Sequence, residues 1–263
     1  MESTILPKPV QPGGMTSCHT VPELALVIPV YNEEECIIQV LEEWTRAIRQ
    51  ENIPTLFIIV DDCSTDHTLE RIKSYIHQER RDDILAIHQA NQGHGQSCLN
   101  GYRKALELNI PRIFQIDSDG QCDPTFFPLI WEARDRACAI YGKRCHRDDG
   151  PARVFISWVL RLFLRAAMQT RLSDSNVPFR LYQSKYLEEA LTKIPKSFHL
   201  ANIALALLLE PVGFVEIPIH FRGRQGGRSS VNWIGFVQKA LQLHQNLGQL
   251  KSYAPLPTPR HSP

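Results

Sequence analysis

Two carboxylates one residue apart, Asp117 and Asp119, close the short apolar run Ile113-Phe-Gln-Ile-Asp117-Ser-Asp119-Gly-Gln121. In extended backbone, residues i and i+2 project to the same side, so the pair can hold one hard cation between them. Mg²⁺ or Mn²⁺ held there can in turn bind the two phosphates of a nucleotide. The carboxamide oxygen of Gln121 adds a third candidate ligand, and Gly120 lets the chain turn without a Cβ clash. Asp-x-Asp pairs also occur in solvated loops. The weight of this one comes from its position after a buried-looking strand and from what stands upstream and downstream.

The elements that must position it follow from periodicity. Leu24 to Val30, Leu56 to Val60, Ile84 to His88 and the run ending at Asp117 are short apolar stretches of the kind found in strands buried on both faces. Helical patterns separate them. Asn32 is expected to cap the first helix, with three glutamates in its opening turn. The second helix runs from about Thr68 to Gln78, and the third carries Leu99, Tyr102, Ala105 and Leu106 at helical spacing. This alternation predicts an α/β fold, a single domain with a doubly wound, mostly parallel sheet flanked by helices. Ligands bind such sheets outside the carboxyl ends of the strands. Those ends carry Tyr31-Asn32-Glu33, Asp61-Asp62, Asn91 to Gly95 and Asp117 to Gln121, four polar clusters expected to form one mouth. Turn chemistry alone accounts for Asp, Asn and Gly, but Glu33 and the doubled Asp61-Asp62 exceed what turns require.

Composition bounds the partners. The chain has 263 residues, 43% of them hydrophobic, enough for a sizeable core. A net charge of +1 argues against a nucleic-acid binder, which would need a strongly basic balance. Seven cysteines without Cys-x-x-Cys spacing read as reduced thiols facing a cytoplasm, and Cys145-His146 lacks a second pair to complete a tetrahedral metal site. Residues 1–22 and 251–263, rich in proline, read as disordered tails around a domain spanning 23–250. No signal peptide and no stretch of about 20 apolar residues is evident, so the expected location is cytoplasmic, free or peripheral on a membrane. One segment bears on that choice. Across residues 153–168, Arg153, Ser157, Arg161 and Arg165 recur every fourth position on an otherwise apolar helix. Such a helix can lie among anionic lipid headgroups, or pack on the sheet or on a membrane-anchoring partner.

Taken in order, Val27-Ile-Pro-Val-Tyr-Asn-Glu33, Val60-Asp-Asp-Cys-Ser-Thr-Asp66, Asn91-Gln-Gly-His-Gly95 and Asp117-Ser-Asp-Gly-Gln121 resemble glycosyltransferase family 2, with its GT-A fold. Further on, Ser173 to Tyr182 and Arg224-Gln-Gly-Gly-Arg-Ser-Ser230 are similar to the branch containing dolichyl-phosphate mannose synthases and polyprenyl-phosphate glycosyltransferases. The resemblance covers roughly Leu24 to Leu243. It implies that Pro29, Tyr31, Glu33 and Asp62, with Asn91 and Gly93, bind the donor nucleotide, and that Asp117, Asp119 and Gln121 hold the metal. Carboxylates suit base N–H groups and ribose hydroxyls, and a tyrosine ring can wall a base. The implied reaction is displacement at the anomeric carbon with inversion, releasing a nucleoside diphosphate.

The acceptor is read from the second half of the chain. Arg144, Arg153, Arg180 and Arg224 match or neighbour basic positions of the polyprenyl-phosphate branch, whose guanidinium forks suit phosphate. Arg228 and Ser229 complete that set, although Ser230 stands where the family has a lysine. Where mannose synthases carry a glutamate this chain has Asn202, which cannot act as a base, so Asp174 is the remaining candidate for catalytic proton removal. A lipid-phosphate acceptor needs no base, since its attacking oxygen is already ionised. Transfer to a glycan or other hydroxyl, and a non-catalytic sugar-nucleotide-binding subunit, are the alternatives. Nucleotidyltransferases are excluded, because the first strand is not followed by a glycine-rich phosphate loop.

Overall fold

The computed structural model describes residues 3–4, 21–145, 173–174, 176–194 and 201–223. Arg153, Arg224, Arg228, Ser229, the amphipathic segment 153–168 and the C-terminal tail lie outside them.

In chain order the elements are β1 (Ser3–Thr4), β2 (Leu24–Val30), α1 (Ile37–Gln50), β3 (Thr55–Asp61), α2 (Thr68–Gln78), β4 (Ile84–His88), α3 (His94–Glu107), β5 (Arg112–Ile116) and α4 (Phe127–Glu132). There follow β6 (Ala139–Arg144), β7 (Phe179–Gln183), α5 (Ser184–Thr192), α6 (Ala201–Leu209) and β8 (Phe214–Ile219). One sheet contains every described strand, in the order β1-β4-β3-β2-β5-β7-β6-β8. Pairings β2 with β3, β2 with β5, β3 with β4 and β6 with β8 are parallel; β7 is antiparallel to both its neighbours, and β1 to β4. The expected mostly parallel α/β architecture is therefore the one observed.

The strand order matters for function. From β2 the chain builds outward through β3 and β4, then returns to place β5 on the other side of β2. The connections diverge between β2 and β5, and their carboxyl ends open the crevice where open α/β sheets take ligands.

Burial explains why the strands read as continuous apolar runs, since all seven residues of β2 are buried between helical layers. On one face Trp44 of α1 packs on Phe114, Phe127 and Phe179, with ring centroids 5.5, 6.0 and 5.8 Å away. On the other, α3 crosses so closely that a Cβ on Gly101 would come 2.4 Å from Val27 Cγ1.

One local expectation is corrected. The first helix starts at Ile37 and has no acidic residue in its first turn. Asn32 is instead in the left-handed region, φ 54°, and its carboxamide oxygen accepts the Thr65 N–H at 2.7 Å. Glu33 to Cys36 form a turn in which the amides of Cys36 and Ile37 bond to the Glu33 carbonyl. The glutamates are thus held against the β3 loop, ahead of the helix. At the sheet edge, Ser3 and Thr4 pair with His88 and Ile87. They cover part of an edge that β4 would otherwise expose.

Candidate active site

Four strand ends meet in a closed circuit of contacts. Between β2 and β3, the Asn32 N–H donates to Ser64 Oγ at 3.0 Å. Between β3 and β4, Asp62 accepts from the Gln92 and Gly93 amides at 2.9 and 2.7 Å and from Gln89 Nε2 at 2.8 Å. Leading on to β5, His94 Nε2 lies 3.5 Å from Asp117 Oδ1. Across the crevice, the buried Cys36 thiol lies 3.3 Å from both Glu33 Oε2 and the Ser118 carbonyl, joining β5 back to β2. The four polar clusters therefore form one mouth.

Asp117 and Asp119 sit at its centre, both half-buried. Asp117 Oδ1 accepts Gln115 Nε2 at 3.1 Å, and Asp119 Oδ1 accepts the Gln121 amide at 3.1 Å. Gln121 Nε2 donates to the Arg222 carbonyl at 3.4 Å, which leaves Oε1 as the amide's coordinating end. Among the described residues no group of three or more His, Cys, Asp or Glu side chains forms a metal cage. Two carboxylates and an amide oxygen nonetheless fit Mg²⁺ or Mn²⁺, because small hard cations are commonly bound by one or two carboxylates, with substrate phosphates and water completing the shell.

The electrostatics converge there. The Cys122 thiol, fully inside the protein, is pushed well above its usual value by burial and then by the Asp117 carboxylate, while Arg144 acts in the opposite direction. His94 is raised to about 10, by Cys98 first and also by Asp117, against desolvation. Its ring is half exposed, so water screens part of that attraction.

The other expected residues fall into two groups. Pro29 is buried in β2 beside Val60, Tyr31 stands 46% exposed at the mouth, and Asn91 is exposed beside half-buried Gly93, whose φ of +85° favours glycine. Tyr31 and Asn91 thus face the mouth, whereas the Pro29 ring, expected to touch the donor, is enclosed in the sheet. Asp62, in contrast, is 3% exposed with both oxygens bonded to the 89–93 loop, so it organises that loop. Arg144 binds Asp174 through Nε and Nη2 at 2.6 and 2.9 Å, which is the geometry of an ion pair rather than of a base facing an open acceptor. Arg180, expected to meet the acceptor phosphate, is enclosed in the protein instead. It is 0% exposed, donates to the Tyr182 hydroxyl and the Asn202 carbonyl at 3.1 and 2.8 Å, and lies over the Tyr141 ring.

Gln115, Cys36, His94 and Arg222 also belong to the site, though none of them is among the candidates that the motifs single out. Gln115 was visible as a polar residue inside an apolar strand, and His94 within its glycine motif. Arg222 carried no local signal. Its Nη1 and Nη2 reach Glu43 at 2.7 Å and Asp123 at 2.8 Å, and its amide donates to the Gln121 carbonyl at 2.9 Å. It clamps the segment after β8 onto the Asp119–Asp123 loop. Arg222→Ala is expected to cost no more than about 1 kcal/mol of stability, because its ion pairs are partly exposed. Loosening the loop should raise the donor KM about tenfold, a split that donor titration and thermal melting would reveal together.

Comparison with known proteins agrees with this geometry. The family description "Glycosyl transferase family 2" matches residues 25–191, more than half of the chain. The chain belongs to glycosyl transferase family 2. An undecaprenyl-phosphate 4-deoxy-4-formamido-L-arabinose transferase of Yersinia enterocolitica is 23% identical over 82% of this glycosyltransferase and 64% of the relative. An undecaprenyl-phosphate mannosyltransferase of Micrococcus luteus is 25% identical over 78% and 86%. The chain thus spans less than two thirds of the arabinose transferase. Among solved structures, glucosyl-3-phosphoglycerate synthase of Mycobacterium tuberculosis, in complex with Mn²⁺, UDP and phosphoglyceric acid, superposes with a TM-score of 0.64 at 14% identity. That match covers 89% of this chain and 80% of the other, and it supports the GT-A fold.

Proposed function

We propose that this family 2 glycosyltransferase moves a sugar, with inversion, from a nucleoside diphosphate donor to a polyprenyl phosphate of the undecaprenyl or dolichyl type, aided by Mg²⁺ or Mn²⁺. The observation that carries the donor half is the placement of Asp117 and Asp119 at the β2/β5 crevice, opposite Tyr31 and Glu33. A cation held by Asp117, Asp119 and Gln121 would neutralise charge on the departing diphosphate. Tyr31, half exposed, offers a ring face to the base, and the Asn91–Gly93 loop offers backbone to the donor.

The acceptor half rests on the Arg144–Asp174 pair and on the names of the relatives. With Asp174 engaged by a guanidinium and Asn202 unable to take a proton, an acceptor that arrives already ionised suits these residues better than a hydroxyl. Arg224, Arg228 and Ser229 would meet its phosphate, and residues 153–168 would meet the membrane surface. Among the described residues no helix is long and apolar enough to cross a bilayer.

The test is transfer by purified protein with Mn²⁺ or Mg²⁺, using UDP- and GDP-sugars including GDP-mannose, with and without undecaprenyl phosphate. Turnover dependent on the lipid phosphate is expected, and the active donor identifies the sugar. Transfer only to hydroxyl acceptors would replace the acceptor assignment, and absence of any donor binding would favour a non-catalytic subunit.

A further inference from the structure

Gln115 lies in β5, two residues before Asp117, and is 0% exposed. Its neighbours along the strand are Phe114 and Ile116, and Arg180 is its partner in the sheet. An amide buried that deeply is costly unless both ends are bonded. Both are. Oε1 accepts the Tyr102 hydroxyl at 3.3 Å, and Nε2 donates to Asp117 Oδ1 at 3.1 Å.

The two partners fix which way the amide points. An ionised carboxylate only accepts, so the nitrogen must face Asp117, while a tyrosine hydroxyl can donate to the oxygen. Flipping the amide would set its oxygen against a carboxylate oxygen. His94 Nε2, 3.5 Å away, approaches the same Oδ1. The Gln115 amide donates to Oδ1 and the His94 ring stands beside the same oxygen, so Oδ2 is the oxygen of Asp117 that neither of them approaches.

We infer that Gln115 is a positioning residue for the metal-binding carboxylate, selecting the Asp117 oxygen that meets the cation, with Tyr102 fixing the orientation of its amide. This rests on the metal-dependent reading above. Groups that orient a ligand typically contribute a factor of about 10 to 100 in metal affinity. The strand itself does not require an amide here, since an apolar side chain of the same length would fill the space between α3 and the sheet.

The experiment is a Mn²⁺ titration of the full chain in the presence of UDP and, separately, GDP. Free Mn²⁺ is followed by electron paramagnetic resonance, and melting temperature is recorded in parallel. Gln115→Met keeps the length and removes both hydrogen-bonding ends, and Tyr102→Phe removes only the anchor. Gln115→Met is expected to weaken Mn²⁺ binding by about 10-fold or more and Tyr102→Phe by a smaller factor of about 3. The double variant should bind no more weakly than Gln115→Met, because Tyr102 acts through Gln115. A merely structural role would not produce that non-additivity in metal affinity. Wild-type Mn²⁺ affinity in Gln115→Met would overturn the inference and leave the metal reading standing. Should Gln115→Met fail to fold, undiminished affinity in Tyr102→Phe would overturn it equally. A wild-type chain that binds no Mn²⁺ with either nucleotide would overturn the metal reading and this inference together.

Discussion

Asp119→Ala is expected to reduce sugar transfer by about 10³-fold, on the scale of removing a group that stabilises charge developing in the transition state. The fold should survive. Asp119 is half-buried on a loop after β5 and, as a hydrogen-bond acceptor, holds the Gln121 amide at 3.1 Å. Loss of that bond by itself costs about 1 kcal/mol. Chelation of the wild-type enzyme should reproduce the loss and added Mn²⁺ should reverse it, whereas excess Mn²⁺ should not rescue the variant. Transfer assays beside thermal melts would check this. Turnover by Asp119→Ala at the wild-type rate would remove the carboxylate pair from the mechanism.

For Asp62→Ala the expected effect falls on stability as well as on the donor. The side chain satisfies two backbone amides and the Gln89 amide, all within 2.9 Å and almost out of solvent. Leaving those donors unsatisfied in a buried site should cost about 3 kcal/mol or more. The loop from Gln89 to Gly93 also sets the start of α3, where His94 approaches Asp117, so the donor KM should rise alongside. Denaturant titration should show a lower midpoint at an unchanged slope. Asp62→Asn, which keeps one acceptor, should lie between. If Asp62→Ala kept its stability and lost only donor affinity, Asp62 would be a direct nucleoside contact, as the family resemblance implies.

Strand positions were legible because each reports itself locally. A strand buried on both faces is apolar along most of its length, so Leu24–Val30 and Ile84–His88 carry their boundaries in their own residues. The end of each strand is equally local, and the polar clusters at those ends marked the mouth before its shape was known. Helix α1 was less so. Asn32 followed by glutamates has the composition of a helix start, but the side-chain bond from Asn32 to the β3 loop is made by residues more than 30 positions away.

The chain's own sequence determined the alternating α/β architecture, the strand-end mouth and the Asp117/Asp119 pair, since periodicity and residue chemistry are properties of short segments. Only the tertiary structure decided what each charged side chain faces. Insertion of antiparallel β7 between β5 and β6 turns Arg180 inward beside Gln115 and Tyr182, although its sequence context resembles a phosphate site. The same folding brings Arg144 to Asp174 across 30 positions and Arg222 to Glu43 across 179. Such contacts are set by which strands lie side by side, and a charge that is costly to bury must take whatever partner that order brings within reach.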